Sequence, residues 1–179
     1  IISEITKDVF IPVTVGGGIR SMEDAEKLFQ SGADKIAINS QGIKEPNFIN
    51  ILAKKYGSQS IVASIEAKKI EDNWVVFTTN GRDMTNIKVI EWAKKCEELG
   101  AGELLITSID KEGTGLGTDL NLNIEIVKEV SVPVIISGGV GNYEHLKKLK
   151  SSINLDAVAI ARVLHYNLIK IKEAKKILI

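Results

Sequence analysis

Two carboxylates and two glycine runs are the parts of this sequence whose types and spacing can do chemistry. Glu66 closes the apolar run "IVASIE" and is followed by Lys68. A carboxylate at the end of a buried strand can act as a general acid or base, its proton affinity tuned by burial and by a nearby ammonium. The plainer alternative is an ion pair with Lys68. Further along, "TSIDKEGTGLG" supplies Asp110 and Glu112 beside Gly113 and Thr114. Such an acidic loop with a flexible tail suits a closing segment or a second acid/base, or else a solvated turn. The glycines stand in matched places: Gly16, Gly17 and Gly18 end one apolar run, and Gly138 and Gly139 end another. Glycines there let backbone N–H groups approach an oxyanion, and a helix N-terminus behind them adds a favourable dipole. Asn39-Ser40 and Ala161-Arg162 end the neighbouring runs. Either these glycines only make tight turns, or each half holds one phosphate and a ligand phosphorylated at both ends bridges the two.

The elements that must position these residues follow from hydrophobic patterning. Six short runs, 12–15, 35–39, 61–66, 103–109, 133–137 and 157–161, are nearly continuous in Val, Ile, Leu and Ala. Parallel strands covered on both faces read this way. Amphipathic helices are expected over 22–31, 47–56, 87–99, 123–129, 143–150 and 168–178, and strand–helix alternation implies a parallel sheet of βα units. Ser21 and Asn142 stand where helix caps belong, Pro46 opens a helix, and Gly32, Gly57 and Gly100 stand where helices should stop. The long segment between Lys68 and Asn86 carries a β-prone stretch at 74–78 and the turn pair Asn80-Gly81, which predicts an inserted hairpin. Residues 1–7 read as the end of a helix.

A module recurs. "PVTVGGGIRSMEDAEKL" aligns with "PVIISGGVGNYEHLKKL", with Pro12 and Pro133 standing 121 residues apart. "DKIAINS" then aligns with "DAVAIAR". That period suits two halves of one (β/α)8 TIM barrel, in which about 250 residues share eight units. Six units are visible, so the expected architecture is a single partial (β/α)8 barrel domain over 1–179 that lacks its first two units. In a barrel the carboxyl ends of the strands build the site. Glu66, Glu112 and the glycine turns fall there. Lys35 and Glu103 begin their strands and fall at the opposite end.

The bulk composition bounds the function. The 179 residues carry 23 basic and 23 acidic side chains, so net charge offers no argument for nucleic acid or an anionic membrane. No apolar run approaches the ~20 residues of a membrane span. Cys96 is the only cysteine, which excludes an intrachain disulfide and a CxxC site and suits a buried thiol in a reducing, cytoplasmic compartment. His145 and His165 lack a third ligand at a sensible spacing, so no metal site is expected.

The strings "PVTVGGGIRSMEDAEKLFQSGADKIAINS", "GSQSIVASIEAKK", "GAGELLITSIDKEGTGLG" and "ISGGVGNYEHL" together resemble the cyclase subunit of imidazole glycerol phosphate synthase, the HisF family. The resemblance covers essentially the whole chain and about the last three-quarters of that family's barrel. It implies an enzyme that takes ammonia from a partner glutaminase and a bisphosphorylated ribulosyl aminoimidazole carboxamide substrate. The implied products are imidazole glycerol phosphate and an aminoimidazole carboxamide ribotide. One family catalytic Asp lies outside this chain; the other matches Glu66, and the acidic residue of the family's flexible loop matches Glu112. Gly18, Asn39 and Ser40 match one phosphate site, and Gly139, Ala161 and Arg162 the other. Lys35 and Glu103 match charged residues that gate the ammonia channel, and Asp34 matches a residue facing the glutaminase. No cofactor or metal is implied. Both carboxylates are Glu where the family has Asp, a shift of more than 1 Å that can change a rate by about 100-fold. The resemblance therefore also admits a HisF-like paralogue that forms an acetamidino group on a surface-polysaccharide sugar, or a non-catalytic phosphate-binding or glutaminase-docking remnant. The 179-residue chain by itself is expected to be inactive.

Overall fold

The structure, a computed structural model, describes residues 2–178. Six parallel strands form one curled sheet in the order β1 (Thr14–Gly16), β2 (Lys35–Ile38), β3 (Ile61–Ile70), β6 (Glu103–Ser108), β7 (Val134–Ser137) and β8 (Ala157–Ala159). Two further strands, β4 (Asn73–Thr78) and β5 (Asp83–Lys88), run antiparallel from the far end of β3. The helices are α1 (Ile2–Ile5), α2 (Met22–Gln30), α3 (Ser40–Lys44), α4 (Asn47–Tyr56), α5 (Val89–Glu98), α6 (Leu120–Glu129), α7 (Tyr143–Ser152), α8 (Arg162–His165) and α9 (Ile171–Leu178). Consecutive βα units lie side by side, as right-handed crossovers between neighbouring parallel strands require. This is a partial (β/α)8 barrel, with β1 and β8 at the two ends of the strand path.

Alternation along the strands separates two environments. Ile36, Ile38, Ile65, Leu104, Ile106, Val134 and Ile136 are buried against helix residues such as Ile49, Leu52, Trp92 and Ile126. Lys35, Ser64, Glu66, Glu103, Leu105 and Ser137 alternate with them and are only half-buried, on the concave face.

The sequence repeat is a structural repeat down to single hydrogen bonds. Val13 N–H donates to Asp34 Oδ2 (2.8 Å), and Val134 N–H donates to Asp156 Oδ2 (3.0 Å). Ser21 Oγ accepts from Asp24 N–H, and Asn142 Oδ1 accepts from His145 N–H. The reciprocal contacts match too: Arg20 N–H donates to Asp24 Oδ2 and Gly141 N–H to His145 Nδ1, both at 3.0 Å. His145 thus caps α7 as Asp24 caps α2, and its ring belongs to the turn. The hydrogen bonds from Arg20 and Ser21 to the Asp24 carboxylate hold its pKa below the ordinary value, the Arg20 contact first.

Several boundaries depart from the sequence-based expectation. Strand β3 does not end at Glu66; it continues to Ile70, because β4 pairs with Glu66 through Ile70 on one edge while β6 pairs with Val62 through Ala67 on the other. The expected hairpin is therefore a three-stranded excursion, β3–β4–β5, with one turn at Glu71-Asp72 and a second that contains Asn80-Gly81. Strand β5 occupies residues that begin the expected helix 87–99, so α5 starts at Val89. Helix α6 begins at Leu120, earlier than expected, because Asp119 caps it through Leu122 N–H (3.2 Å). The last strand stops at Ala159, and the short α3 and α8 follow β2 and β8 directly. Helix α1 covers part of the 1–7 stretch; Ile1 and Ile179 lie outside the described residues.

Candidate active site at the carboxyl rim of the sheet

Two concavities open at the carboxyl ends of the parallel strands. The larger, about 740 Å3, is bounded by the first glycine turn, the end of β2 with the start of α3, Ser64 and Glu66 of β3, and the tip of the β4–β5 turn. The smaller, about 120 Å3, is bounded by Glu112, the second glycine turn and the β8–α8 junction. Gly18, Asn39, Ser40 and Glu66 come together in the first; Glu112, Gly139, Ala161 and Arg162 come together in the second. The two candidate carboxylates are therefore assigned to different concavities.

The two glycine turns have nearly the same backbone. Gly17 and Gly138 have φ of +98° and +97°, and Gly18 and Gly139 have +71° and +94°. L side chains rarely adopt this conformation, so glycine is required by the backbone as well as by access. A Cβ on Gly139 would stand 2.1 Å from Gly117 O, so the second turn also needs glycine to pack against the β6–α6 loop. Gly117 N–H donates to Gly139 O (2.7 Å), which closes that contact. Helices α2 and α7 start just behind the two turns and aim their N-terminal dipoles toward them.

Glu66 stands in mid-strand, half-buried, on the concave face. Its Oε2 accepts from Gly81 N–H at 3.0 Å, and among the described residues Oε1 makes no hydrogen bond. The expected alternative, an ion pair with Lys68, is not what the structure has. Lys68 Nζ lies 5.6 Å from the centroid of the Phe77 ring. A carboxylate with one oxygen held and the other open is oriented for proton transfer.

Glu112 is exposed, and its backbone N–H donates to Ser108 O (2.9 Å). Its Oε2 lies close to Gly138, 3.2 Å from where a Cβ would be. Asp110 is structural: its Oδ2 accepts from Lys69 N–H (2.8 Å) and fastens the β3 extension to the β6–α6 loop. At the other end of that loop, Asp119 Oδ2 accepts from the Trp74 indole N–H (2.9 Å). The loop bearing Glu112 is thus tied to the excursion at both ends. Arg162 opens α8, exposed, with its guanidinium 5.5 Å from the Tyr166 ring centroid.

Lys35 and Glu103 form an ion pair at the amino ends of their strands. They reach across the intervening strand β3 on the concave side of Val62, which is fully buried. Asp34 is exposed and bound to Val13 N–H, and Asp156 makes the same contact in the second half. Among the described residues no group of three or more His, Cys, Asp and Glu side chains has the geometry to hold a metal ion.

Among the residues lining the larger concavity that sequence reasoning missed are Arg20, Lys44, Thr79 and Asn80. Arg20 was detectable, since it follows the glycine run and precedes the helix cap. Lys44 and the 79–80 tip reach the cleft through packing that no local pattern records. Asn39 also lines the cleft, and its Oδ1 is buried with no hydrogen-bond partner.

The family model described as "Histidine biosynthesis protein" matches residues 1–170. A curated relative, "Imidazole glycerol phosphate synthase subunit HisF" of Saccharolobus solfataricus, is 45% identical over 178 residues, which is 99% of this chain and 71% of that protein. No helix among the described residues is long and apolar enough to cross a membrane.

Proposed function

Because this chain belongs to the histidine biosynthesis protein family, we propose that it forms the greater part of an ammonia-dependent cyclase that makes imidazole glycerol phosphate from a bisphosphorylated substrate. The observation that carries this reading is the pair of matched glycine turns on one rim, with the Glu66 strand placed between the two halves in the strand order. Gly18, Asn39 and Ser40 hold one phosphate through backbone N–H groups and the Ser40 hydroxyl, with Arg20 and Lys44 adding positive charge. Gly139, Ala161 and Arg162 hold the other. A substrate anchored at both ends is oriented over Glu66, and such positioning can account for several kcal/mol of a reaction barrier, on the order of 7–11. Glu66 transfers the proton through Oε1, and Glu112 serves as the second acid/base or as a closing contact.

The six units seen here are completed by two preceding βα units, which supply the remaining carboxylate; the 179-residue chain alone is inactive on this reading. Ammonia enters from the opposite end of the strands, past Lys35 and Glu103, from a glutaminase that docks on the face bearing Asp34. The test is turnover by the protein carrying all eight units, given free ammonia and the bisphosphorylated ribulosyl substrate, with release of imidazole glycerol phosphate as the readout. Loss of turnover in Glu66→Gln with substrate binding retained supports the assignment. Absence of turnover in the intact protein overturns it. Amidination of an acetamido sugar under the same conditions would transfer the chemistry to the polysaccharide paralogue.

A further inference from the structure

The turn at 79–82 touches two groups of the larger concavity at once. Thr79 N–H donates to Ser40 Oγ (3.2 Å), and two residues on, Gly81 N–H donates to Glu66 Oε2 (3.0 Å). Three successive residues have left-handed backbone: Thr79 (φ +56°), Asn80 (+57°) and Gly81 (+73°). For a β-branched threonine this conformation is unfavourable. Contacts at each side hold it. Arg82 N–H closes on Thr78 O (3.0 Å), and Gly81 backs onto Ile109, where a Cβ would meet Cδ1 at 3.2 Å. The stem below is pinned by the Lys69–Asp110 and Trp74–Asp119 hydrogen bonds, which leaves the tip as the part able to adjust.

We propose that this turn is a positioning element that couples anion occupancy at Ser40 to the placement of the Glu66 carboxylate. The inference rests on the reading of Gly18, Asn39 and Ser40 as a phosphate site. A serine hydroxyl has one proton to donate and two lone pairs to accept with. Ser40 Oγ can therefore accept from Thr79 N–H and donate its own proton to a phosphate oxygen in the same state. The chain from Thr79 N–H through Ser40 O–H to the anion runs in one direction, and hydrogen bonds in such a chain polarise and strengthen one another. An arriving phosphate thus tightens the turn rather than displacing it. The tightened turn brings Gly81 N–H firmly onto Oε2 and leaves Oε1 for the reaction. Thr79 and Gly81 are positioning residues: they act through Ser40 and Glu66 and need touch no substrate.

The test is residue-resolved amide hydrogen exchange on the full chain, with and without inorganic phosphate. Gly17 and Gly18 report on the anion site, and Thr79 and Gly81 on the turn. Phosphate should slow exchange at all four, severalfold at Thr79 and Gly81. With phosphate raised until Gly17 and Gly18 again respond, Ser40→Ala should leave Thr79 and Gly81 without a response. Glu66→Ala, which removes the acceptor of Gly81 N–H, should abolish the slowing at Gly81. Slowing at Gly17 and Gly18 with Thr79 and Gly81 unchanged overturns the coupling and leaves the phosphate site standing. No response at any of the four overturns the phosphate site, and the coupling with it. A turn that still responds in Ser40→Ala, or a Gly81 that still responds in Glu66→Ala, also overturns the coupling.

Discussion

Glu103→Leu should destabilise the chain by about 2 kcal/mol, and adding Lys35→Met should return most of it. The pair sits on the concave face with side chains only 26% and 21% exposed, in contact across a strand whose Val62 is fully buried. A hydrogen bond to a charged group contributes on the order of 1.5–3 kcal/mol, and removing one partner of a buried pair costs about 3–5 kcal/mol because the other charge is left without compensation. The remaining exposure lets water reach the orphaned Lys35, which places the single variant below that span, at about 2 kcal/mol. In the double variant no charge is stranded and two apolar chains pack over Val62, so the net change should fall to about 1 kcal/mol or less. Urea unfolding of the wild type, both single variants and the double variant closes the cycle, and an interaction energy of about 1–2 kcal/mol is expected. An interaction energy near zero, with the two single effects simply adding, would show a solvated contact of the kind that surface pairs make. It would refute the view that the concave face is dry enough at its amino end to make a charge depend on its partner.

Burial pushes the Cys96 thiol up from 9.0 to about 12. Cys96 should therefore resist alkylation at pH 8 until the chain is unfolded. Because the folded chain holds this proton more tightly than the unfolded one, the associated stability is complete below about pH 9 and is lost as the pH rises toward 12. The three-unit difference corresponds to about 4 kcal/mol; Cys96→Ala should flatten that part of a stability–pH curve, and an unchanged slope counts against the assignment. Gly141→Ala places a Cβ 1.9 Å from Gly115 O, so the β6–α6 loop must move from the second glycine turn. A loss of about 1–3 kcal/mol in thermal unfolding is expected, together with weaker phosphate protection at Gly138 and Gly139 than at Gly17 and Gly18. Trp74→Phe keeps an aromatic ring, though a smaller one, and removes the indole N–H from Asp119; urea unfolding should show at least about 1 kcal/mol lost, and no loss would mean that the excursion is not fastened there.

The order of units, the covered parallel sheet and the duplicated glycine turns were legible in the chain because each has a local cause. Strands buried on both faces require continuous apolar runs, and helices require caps and stops. Ser21, Asn142, Gly32, Gly57 and Gly100 do in the structure what their types predict: the first two accept cap hydrogen bonds, and the glycines have φ of +97°, +86° and +97°. The placement of these residues on one rim was legible for the same reason, since residues that end parallel strands must share one edge of the sheet.

Pairing between distant segments decided the rest. Where β3 ends cannot be read from 61–66, because its last residues are held by β4 and β6, and only those partners keep Lys68 and Lys69 extended. The role of His145 was equally hidden. Its type suggests a ligand or a base, yet the helix start turns its Nδ1 onto Gly141 N–H, as Asp24 is turned onto Arg20. That Glu66 meets Gly81 rather than Lys68, and that Ser40 meets Thr79, follows from a turn folded back over the rim across 15 and 39 residues of chain. By itself the sequence determined which residues prefer strand, helix or turn, since those preferences are set by each residue's own backbone and its near neighbours. Only the tertiary structure decided which carboxylate oxygen is held and which is open, because that depends on groups that meet only when the sheet has curled.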